Sequence, residues 1–237
     1  MTAPAAVLFD MDGTLVDTEV LWWEATEEVA ASLGHRLSDA DAPEVVGRAV
    51  EDTAAHLIRI TEVARSATST ASAVAQALTE GFFQRVEAGA PLRPGVRRLL
   101  AELEQRQVPF ALVSASPRVV VDSVVGGALA DVRFSFTLSA DDTVRTKPHP
   151  DPYRAAADRF GALPRACVAV EDSPDGSNSA EAAGCAVLVV PSLLPVPASA
   201  GRVFAESLEH VDLDVLSRCV AACYAGPDDG TGGSSAA

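Results

Sequence analysis

Short apolar runs that end in polar residues alternate with helical segments along most of this chain, and this alternation constrains its fold more than any other feature. Continuous apolar runs are typical of strands that are buried on both faces of a parallel sheet. Strands that alternate with helices predict an α/β fold with a doubly wound parallel sheet. We expect strands at residues 5–9, 109–113, 134–138, 167–170 and 186–190.

A long helical segment interrupts this alternation after the first strand. Apolar residues recur at every fourth position from Leu21 to Leu33, which predicts the first helix of the segment. Ser38 is expected to cap a short second helix, and further helices are expected at 49–60 and 71–86. An insertion of this kind is typical of a lid over an active site.

These patterns divide the chain into three parts. We expect a sheet-forming core at 1–16 and 91–225, and an inserted α-helical cap domain at 17–90. Residues 226–237 are rich in Gly, Asp and Ser and are expected to form a disordered tail, because such a sequence cannot bury a core.

The first apolar run leads directly into Asp10-Met11-Asp12-Gly13-Thr14. Ligands of open α/β sheets bind beyond the carboxyl ends of the strands, and residues two apart on extended chain point the same way. Asp10 and Asp12 can therefore face one spot, where two carboxylates repel unless a cation lies between them or one is protonated. The pattern favours a divalent metal beside a nucleophile and an acid–base group. The alternative is a strand end followed by an ordinary helix cap.

Polar residues also follow the later strands. Ser114-Ala115-Ser116 follows the second strand, Lys147 the third, and Glu171-Asp172 the fourth. The carboxyl ends of parallel strands share one edge of the sheet, so we expect these side chains to meet Asp10 and Asp12. A nucleophile, hydroxyl groups, an ammonium group and an acidic metal pair form a set suited to phosphoryl transfer.

Lys147 stands out because it is the lone lysine among 18 basic residues. An ammonium group is a compact point charge that suits a phosphate where a broad guanidinium does not fit. The alternative is a solvated surface lysine retained by chance.

Charge and composition bound the partners of this chain. A net charge of −15 argues against nucleic acid, whose binding depends on clustered Lys and Arg, but not against phosphorylated small molecules. We find no signal-like start and no apolar run of about 20 residues, so no membrane association is expected. The four cysteines lack metal or disulfide spacing, which favours a reducing, cytoplasmic location. We expect a monomer.

Four motifs in this order, DMDGTLVDTE, VSASP, KPHPDPY and VEDSPDG, resemble those of the haloacid dehalogenase superfamily, in the branch with a helical cap after the first strand. The resemblance covers residues 5–190. It implies a Rossmann-like core with an inserted cap. It also implies a Mg²⁺-dependent phosphatase that acts on a small phosphorylated metabolite, such as a sugar phosphate.

The resemblance assigns the catalytic and metal-binding roles. Asp10 would attack phosphorus and become an aspartyl phosphate, and Asp12 would act as general acid and then general base. Lys147 would neutralise the phosphate and the nucleophile. Mg²⁺ would be held by Asp10, the backbone carbonyl of Asp12 and Asp172, with Glu171 close by.

The resemblance also suggests residues that bind the substrate. Ser114 and the backbone N–H groups near it, at Ala115 and Ser116, would hold phosphate oxygens. Glu19 could contact a sugar hydroxyl, although capping the helix that follows is an alternative role. Arg48 could bind substrate or could be a solvated surface arginine.

Two positions separate the branches of the superfamily. Members that remove halide or cleave carbon–phosphorus bonds lack a carboxylate at the position of Asp12, so phosphate-ester chemistry is favoured. Sugar-phosphate mutases of this branch carry a histidine where this chain has Trp22, which disfavours a mutase resembling β-phosphoglucomutase. That mutase and a non-catalytic binding protein on the same scaffold stay as alternatives. Trp22 and Trp23 could line the substrate pocket, although one of them is expected to pack in the core of the cap.

Overall fold

A six-stranded, all-parallel sheet forms the centre of the molecule in the computed structural model, which describes residues 3–46, 48, 50–61 and 67–224. The strands are β1 (Ala6–Phe9), β2 (Phe110–Val113), β3 (Thr137–Leu138), β4 (Cys167–Glu171), β5 (Ala186–Val189) and β6 (Arg202–Phe204). They lie in the order β3-β2-β1-β4-β5-β6. The strand order reverses beside β1, which is where open α/β sheets bind their ligands.

The predicted strands are confirmed in position, but the third is shorter than predicted and one strand was missed. Every residue of β1, β2, β4 and β5 is buried, as expected for strands covered on both faces. The third strand was predicted over 134–138, but only Thr137–Leu138 pairs with β2. The prediction of five strands was wrong by one, because β6 lies at the sheet edge, is partly exposed and has no apolar run.

Helices cover both faces of the sheet. The core helices are α5 (Val96–Gln105), α6 (Arg118–Gly126), α7 (Asp151–Arg159), α8 (Pro174–Ala183) and α9 (Leu213–Tyr224), with short 3-10 helices at Ala140–Asp142, Pro164–Ala166 and Leu208–His210. Val7 and Phe9 of β1 pack in a cluster with α5, α6 and α9, whereas Ala6 and Leu8 pack in a cluster with α7 and α8. Because adjacent residues of β1 enter different clusters, the doubly wound prediction is confirmed.

A separate group of helices occupies the inserted segment. These are α1 (Thr18–Ser32), α2 (Ala42–Val45), α3 (Val50–Ile60) and α4 (Ala67–Gly89). Residues of α1, α3 and α4, such as Val29, Leu57 and Leu78, share a hydrophobic cluster of their own. This cluster supports a cap at 17–90, although the division stays a prediction. The predicted tail at 226–237 lies outside the described residues. Within the part of the chain that is described, no helix is long and apolar enough to cross a membrane.

The start of α2 corrects one expectation. Ser38 was expected to cap this helix, but the helix begins at Ala42 and its N-cap is Asp41. The backbone N–H and the hydroxyl of Ser38 both donate to the Asp41 carboxylate at 3.0 Å. Asp41 also accepts from Nε2 of His56 at 3.0 Å, and Nε2 of His35 lies 3.4 Å from it. The carboxylate therefore fastens the loop before α2 to α3.

The two linkers between core and cap lie side by side. The N–H of Asp17 donates to the carbonyl of Pro91 at 2.8 Å, and the N–H of Arg93 donates to the carbonyl of Leu15 at 3.0 Å. An ion pair of 3.6 Å joins the Arg93 guanidinium to the Asp17 carboxylate. The pairing brings both linkers to the carboxyl end of β1.

Candidate active site

Three buried carboxylates converge beyond the carboxyl ends of β1 and β4. Phe9 pairs with Val170 in the sheet, so Asp10 follows β1 at the level where Glu171 ends β4 and Asp172 follows it. Oxygen atoms of Asp10, Glu171 and Asp172 all lie within 4.8 Å of one another. The predicted convergence of the first and fourth strand ends is therefore present in the molecule.

Lys147 lies inside this cluster and not on the surface. Its Nζ donates to Oδ1 of Asp10 at 2.6 Å and to Oε1 of Glu171 at 2.7 Å, and its side chain is 4% exposed. Burial lowers the pKa of Lys147, but the charges of Asp10 and Glu171 raise it above its ordinary value. The lysine is thus a permanent cation between two carboxylates.

The cluster has more acidic than basic groups. Burial and the charge of Glu171 raise the pKa of Asp10 to about 7, against the opposing effect of Lys147. Burial and the charges of Asp10 and Glu171 raise the pKa of Asp172 to about 9. These shifts mean that the metal-free cluster holds protons that a divalent cation would displace.

The donor atoms fit Mg²⁺. Carboxylate oxygens are the hard ligands that this ion takes in proteins. Oδ2 of Asp10 is buried and has no hydrogen-bond partner among the described residues. A buried carboxylate oxygen without a donor is costly, so this atom is suited to a cation or to attack on a substrate.

Two glycines let the backbone approach the carboxylates. Gly13 has φ of +82°, and a Cβ there would lie 2.0 Å from Oδ2 of Asp172. A Cβ at Gly176 would lie 2.0 Å from both carboxylate oxygens of Glu171. The hydroxyl of Thr14 donates to Oδ1 of Asp172 at 3.4 Å. Glycine at these positions is therefore needed for the close packing of the cluster.

Hydroxyl groups, and not carboxylates, surround Asp12. Thr18 donates to its Oδ1 at 2.8 Å, while Ser116 and Ser114 donate to its Oδ2 at 2.7 and 3.2 Å. The N–H of Ser116 donates to the Ser114 hydroxyl, and Ala115 is exposed in the turn between them. The Asp12 side chain thus lies apart from the three grouped carboxylates, and metal contact through its backbone carbonyl stays a prediction.

Tyr153 is a residue of this site that the sequence analysis missed. It is fully buried on α7, and its hydroxyl donates to Oε1 of Glu171 at 2.5 Å. The ring also lies under Lys147, whose Nζ is 5.1 Å from the ring centroid. Ser173 donates to the other oxygen of Glu171 at 3.2 Å. The signal was present, because a tyrosine inside a buried segment needs a partner for its hydroxyl.

Glu19 and Trp23 line a cleft beside the first turns of α1. The cleft has a volume of about 280 Å³ and is lined by Asp17, Glu19, Val20, Trp23, Val46, Arg93, Ser192 and Leu193. Burial and the negative charges of Asp17 and Asp12 raise the pKa of Glu19 to about 7, against the effect of Arg93. Trp22 and Trp23 both pack against the cap cluster, and the ring NH of Trp22 donates to the Val45 carbonyl at 3.0 Å. Glu19 is thus near the acidic cluster but outside it.

Arg48 is not brought to the carboxylates. Its side chain is exposed, and its Nε donates to the carbonyl of Pro43 at 3.0 Å. It lines an adjoining cavity of about 630 Å³ together with Leu193 and Leu194. The proposed contact of Arg48 with substrate stays a prediction.

Comparisons with known proteins agree with this geometry. A family model described as haloacid dehalogenase-like hydrolase matches residues 4–184. Hexitol phosphatase B of Escherichia coli (strain K12) is 34% identical over 192 residues, which is 79% of this chain and 83% of that protein.

Solved structures of CbbY from Rhodobacter sphaeroides are also similar. The complex with phosphate is 27% identical, with a TM-score of 0.72 over 90% of this chain and 99% of that one. A mutant of CbbY in complex with xylulose-(1,5)bisphosphate is 26% identical, with a TM-score of 0.67 over 87% and 96% of the two chains. Together with the family match, these similarities show that this chain belongs to the haloacid dehalogenase-like hydrolases.

Proposed function

We propose that this protein is a Mg²⁺-dependent phosphatase that hydrolyses a small phosphorylated metabolite, a sugar phosphate, through an aspartyl phosphate on Asp10. The observation that carries the proposal is the state of the two Asp10 oxygens. Lys147 holds Oδ1 at 2.6 Å, whereas Oδ2 is buried without a partner among the described residues. Membership of a hydrolase family and the similarity to hexitol phosphatase B support a phosphoric monoester hydrolase.

The reaction divides into two displacements at phosphorus. Asp10 attacks the phosphoryl group, the bond to the leaving oxygen breaks, and Asp12 gives that oxygen its proton. Water then attacks the aspartyl phosphate, Asp12 takes a proton from the water, and inorganic phosphate leaves. The hydroxyls of Thr18, Ser114 and Ser116 support this role, because they hold the Asp12 carboxylate in place.

The remaining residues of the cluster balance the negative charge of Asp10 and of the phosphate. Lys147 offsets the charge of Asp10 and of the phosphate that approaches it, and Glu171 with Tyr153 keeps the lysine in position. Asp10, Asp172 and the backbone carbonyl of Asp12 would hold Mg²⁺. When bound, this ion supplies neutralisation of the negative charge on the phosphoryl oxygens.

No specific contact among the described residues supports either alternative function, the mutase or the non-catalytic binding protein. A mutase of this branch needs a histidine at the position of Trp22, whose NH is committed to the Val45 carbonyl in the cap. A binding protein has no need for three buried carboxylates around one ammonium group, an arrangement that destabilises the fold and is expected where it serves chemistry.

Phosphate release from p-nitrophenyl phosphate, with Mg²⁺ or with EDTA, tests the proposal. We expect activity that requires Mg²⁺ and that Asp10→Asn abolishes. Asp39→Asn, which makes the same chemical change at an exposed position, should keep full activity. Hydrolysis that persists in EDTA or in Asp10→Asn would contradict the proposal. With glucose 1-phosphate as substrate, formation of glucose 6-phosphate instead of phosphate would favour the mutase.

A further inference from the structure

Glu171 is a fully buried carboxylate that depends on side-chain donors. Among the described residues, three side chains donate to it: Lys147 and Tyr153 to Oε1 at 2.7 and 2.5 Å, and Ser173 to Oε2 at 3.2 Å. The backbone of Gly176 lies so close that a Cβ there would be 2.0 Å from both carboxylate oxygens. A buried charge that loses a donor is costly, so the loss of one bond increases the demand on the others.

The Lys147 ammonium is shared between two carboxylates. Its Nζ donates to Asp10 at 2.6 Å and to Glu171 at 2.7 Å, which are nearly equal distances. In the proposed mechanism Asp10 attacks phosphorus, so the phosphate must lie next to Asp10. Glu171 then competes with the phosphate for Lys147. The more strongly Glu171 attracts the ammonium, the less of its charge acts on the substrate.

The Tyr153 hydroxyl limits this competition. It donates to the same Oε1 atom that Lys147 contacts, and it supplies stabilisation that this oxygen would otherwise draw from the ammonium. Tyr153 is fully buried, so bulk water does not reach the hydroxyl. The ring makes a separate contact, because Nζ of Lys147 lies 5.1 Å from its centroid, within the range of a cation–π interaction.

We infer that Tyr153 is a positioning residue for phosphate binding and turnover, because its hydroxyl occupies Glu171 and leaves the Lys147 ammonium to Asp10 and the phosphate. This inference rests on the proposed phosphatase function. It deepens that function because it assigns a part in phosphate binding to one hydroxyl of α7, apart from the ring and apart from the stability of the fold.

Tyr153→Phe removes the hydroxyl and keeps the ring beside the ammonium. With p-nitrophenyl phosphate and Mg²⁺ we expect kcat/KM to fall at least about fivefold, with a higher KM and a higher inhibition constant for inorganic phosphate. A merely structural role would give a different pattern, because a partly unfolded sample contains less active enzyme. It would lower the apparent kcat and leave KM and the inhibition constant unchanged.

Ser217→Ala is the matched control. Ser217 is a buried residue of α9, outside the cluster, and its hydroxyl donates to the Leu213 carbonyl at 2.7 Å. The variant therefore also loses a buried hydrogen bond, and it should keep the wild-type KM and inhibition constant. If Tyr153→Phe does not fold, Ser173→Ala takes its place, because it removes another donor to Glu171. It should raise both constants at least about twofold, and wild-type constants would contradict the inference.

NMR of the lysine side chain gives a readout that does not depend on turnover. Lys147 is the one lysine of the chain, so isotope-labelled lysine gives a single side-chain signal. Inorganic phosphate added with Mg²⁺ should shift this signal at the same concentrations in the wild type and in Ser217→Ala. In Tyr153→Phe the phosphate concentration at half of the shift should be at least about fivefold higher.

Two results would overturn the inference. One is a folded Tyr153→Phe variant with the wild-type KM and inhibition constant, and the other is a lysine signal in this variant that responds to phosphate at wild-type concentrations. The proposed function would stand in either case if the wild type cleaves p-nitrophenyl phosphate in a Mg²⁺- and Asp10-dependent way. A wild-type Lys147 signal that phosphate does not move would contradict both proposals, since both place the phosphate beside this ammonium.

Discussion

The stability of the metal-free protein should decrease as the pH rises, because Asp172 keeps its proton in the folded state. Burial and the charges of Asp10 and Glu171 raise its pKa from 3.8 to about 9. In the unfolded chain the carboxyl ionises at its ordinary value, so between these two pKa values unfolding releases a proton. The free energy of unfolding therefore falls by about 1.4 kcal/mol per pH unit in this window.

The most informative interval runs from neutral to mildly alkaline pH. The raised pKa values of Asp10 and Glu19 are about 7, so most of their effect on the free energy of unfolding has occurred below this interval. The one proton that Asp172 releases on unfolding lowers the free energy of unfolding by about 2 kcal/mol between about pH 7 and about pH 8.5. For a protein of this size we expect the melting temperature to fall by about 4–8 °C.

Thermal unfolding followed by circular dichroism in EDTA measures this effect. Asp172→Asn cannot ionise, so it should lose the slope and be more stable than the wild type at the alkaline end. Asp39→Asn serves as an exposed control and should keep the wild-type slope. Added Mg²⁺ should reduce or reverse the slope, because it binds the ionised carboxylates.

Two results would refute this reasoning. One is a melting temperature in EDTA that changes by less than about 1 °C over the interval. The other is an Asp172→Asn variant with the same slope as the wild type, which would assign the proton to another group.

Three further substitutions test other contacts. Gly13→Ala should lower kcat by at least about tenfold, since the new methyl group displaces Asp172 by steric overlap; phosphate release measures this, and normal activity would contradict it. Tyr153→Phe should cost about 1.5–3 kcal/mol of stability in urea unfolding, because Glu171 loses a donor at 2.5 Å; an unchanged midpoint would count against this contact. Asp41, whose pKa is lowered to about 2 by bonds from His56 and Ser38 despite burial, stabilises the fold above its ordinary pKa of 3.8; this stability is lost as the pH falls through about 2. Acid unfolding of Asp41→Asn should therefore lack that loss, and a wild-type acid transition in the variant would be the contrary result.

Much of the core could be predicted from the sequence because its strands are continuous apolar runs. Topology then required the ends of β1 and β4 to meet, which is why Asp10 and Asp172 could be paired from sequence alone. The edge strand β6 could not be predicted, since it is three residues long, begins with Arg202 and is partly exposed.

Contacts between distant side chains were harder to predict. The bond from Tyr153 to Glu171 depends on how α7 packs on the sheet, and periodicity does not encode that packing. The same holds for His35 and His56, which meet at Asp41 from two segments of the insertion. Arg48 was expected either to bind substrate or to be a solvated surface arginine, and its side chain is exposed near Pro43.

The side-by-side linkers have a consequence for engineering this enzyme. Asp17 and Arg93 belong both to the two linkers and to the wall of the cleft. A chimera that takes its cap from a relative should therefore exchange the linker residues 15–17 and 91–93 together. Exchanging one linker alone would replace one partner of the Asp17–Arg93 ion pair and leave the other without its counter-charge in the wall of the cleft.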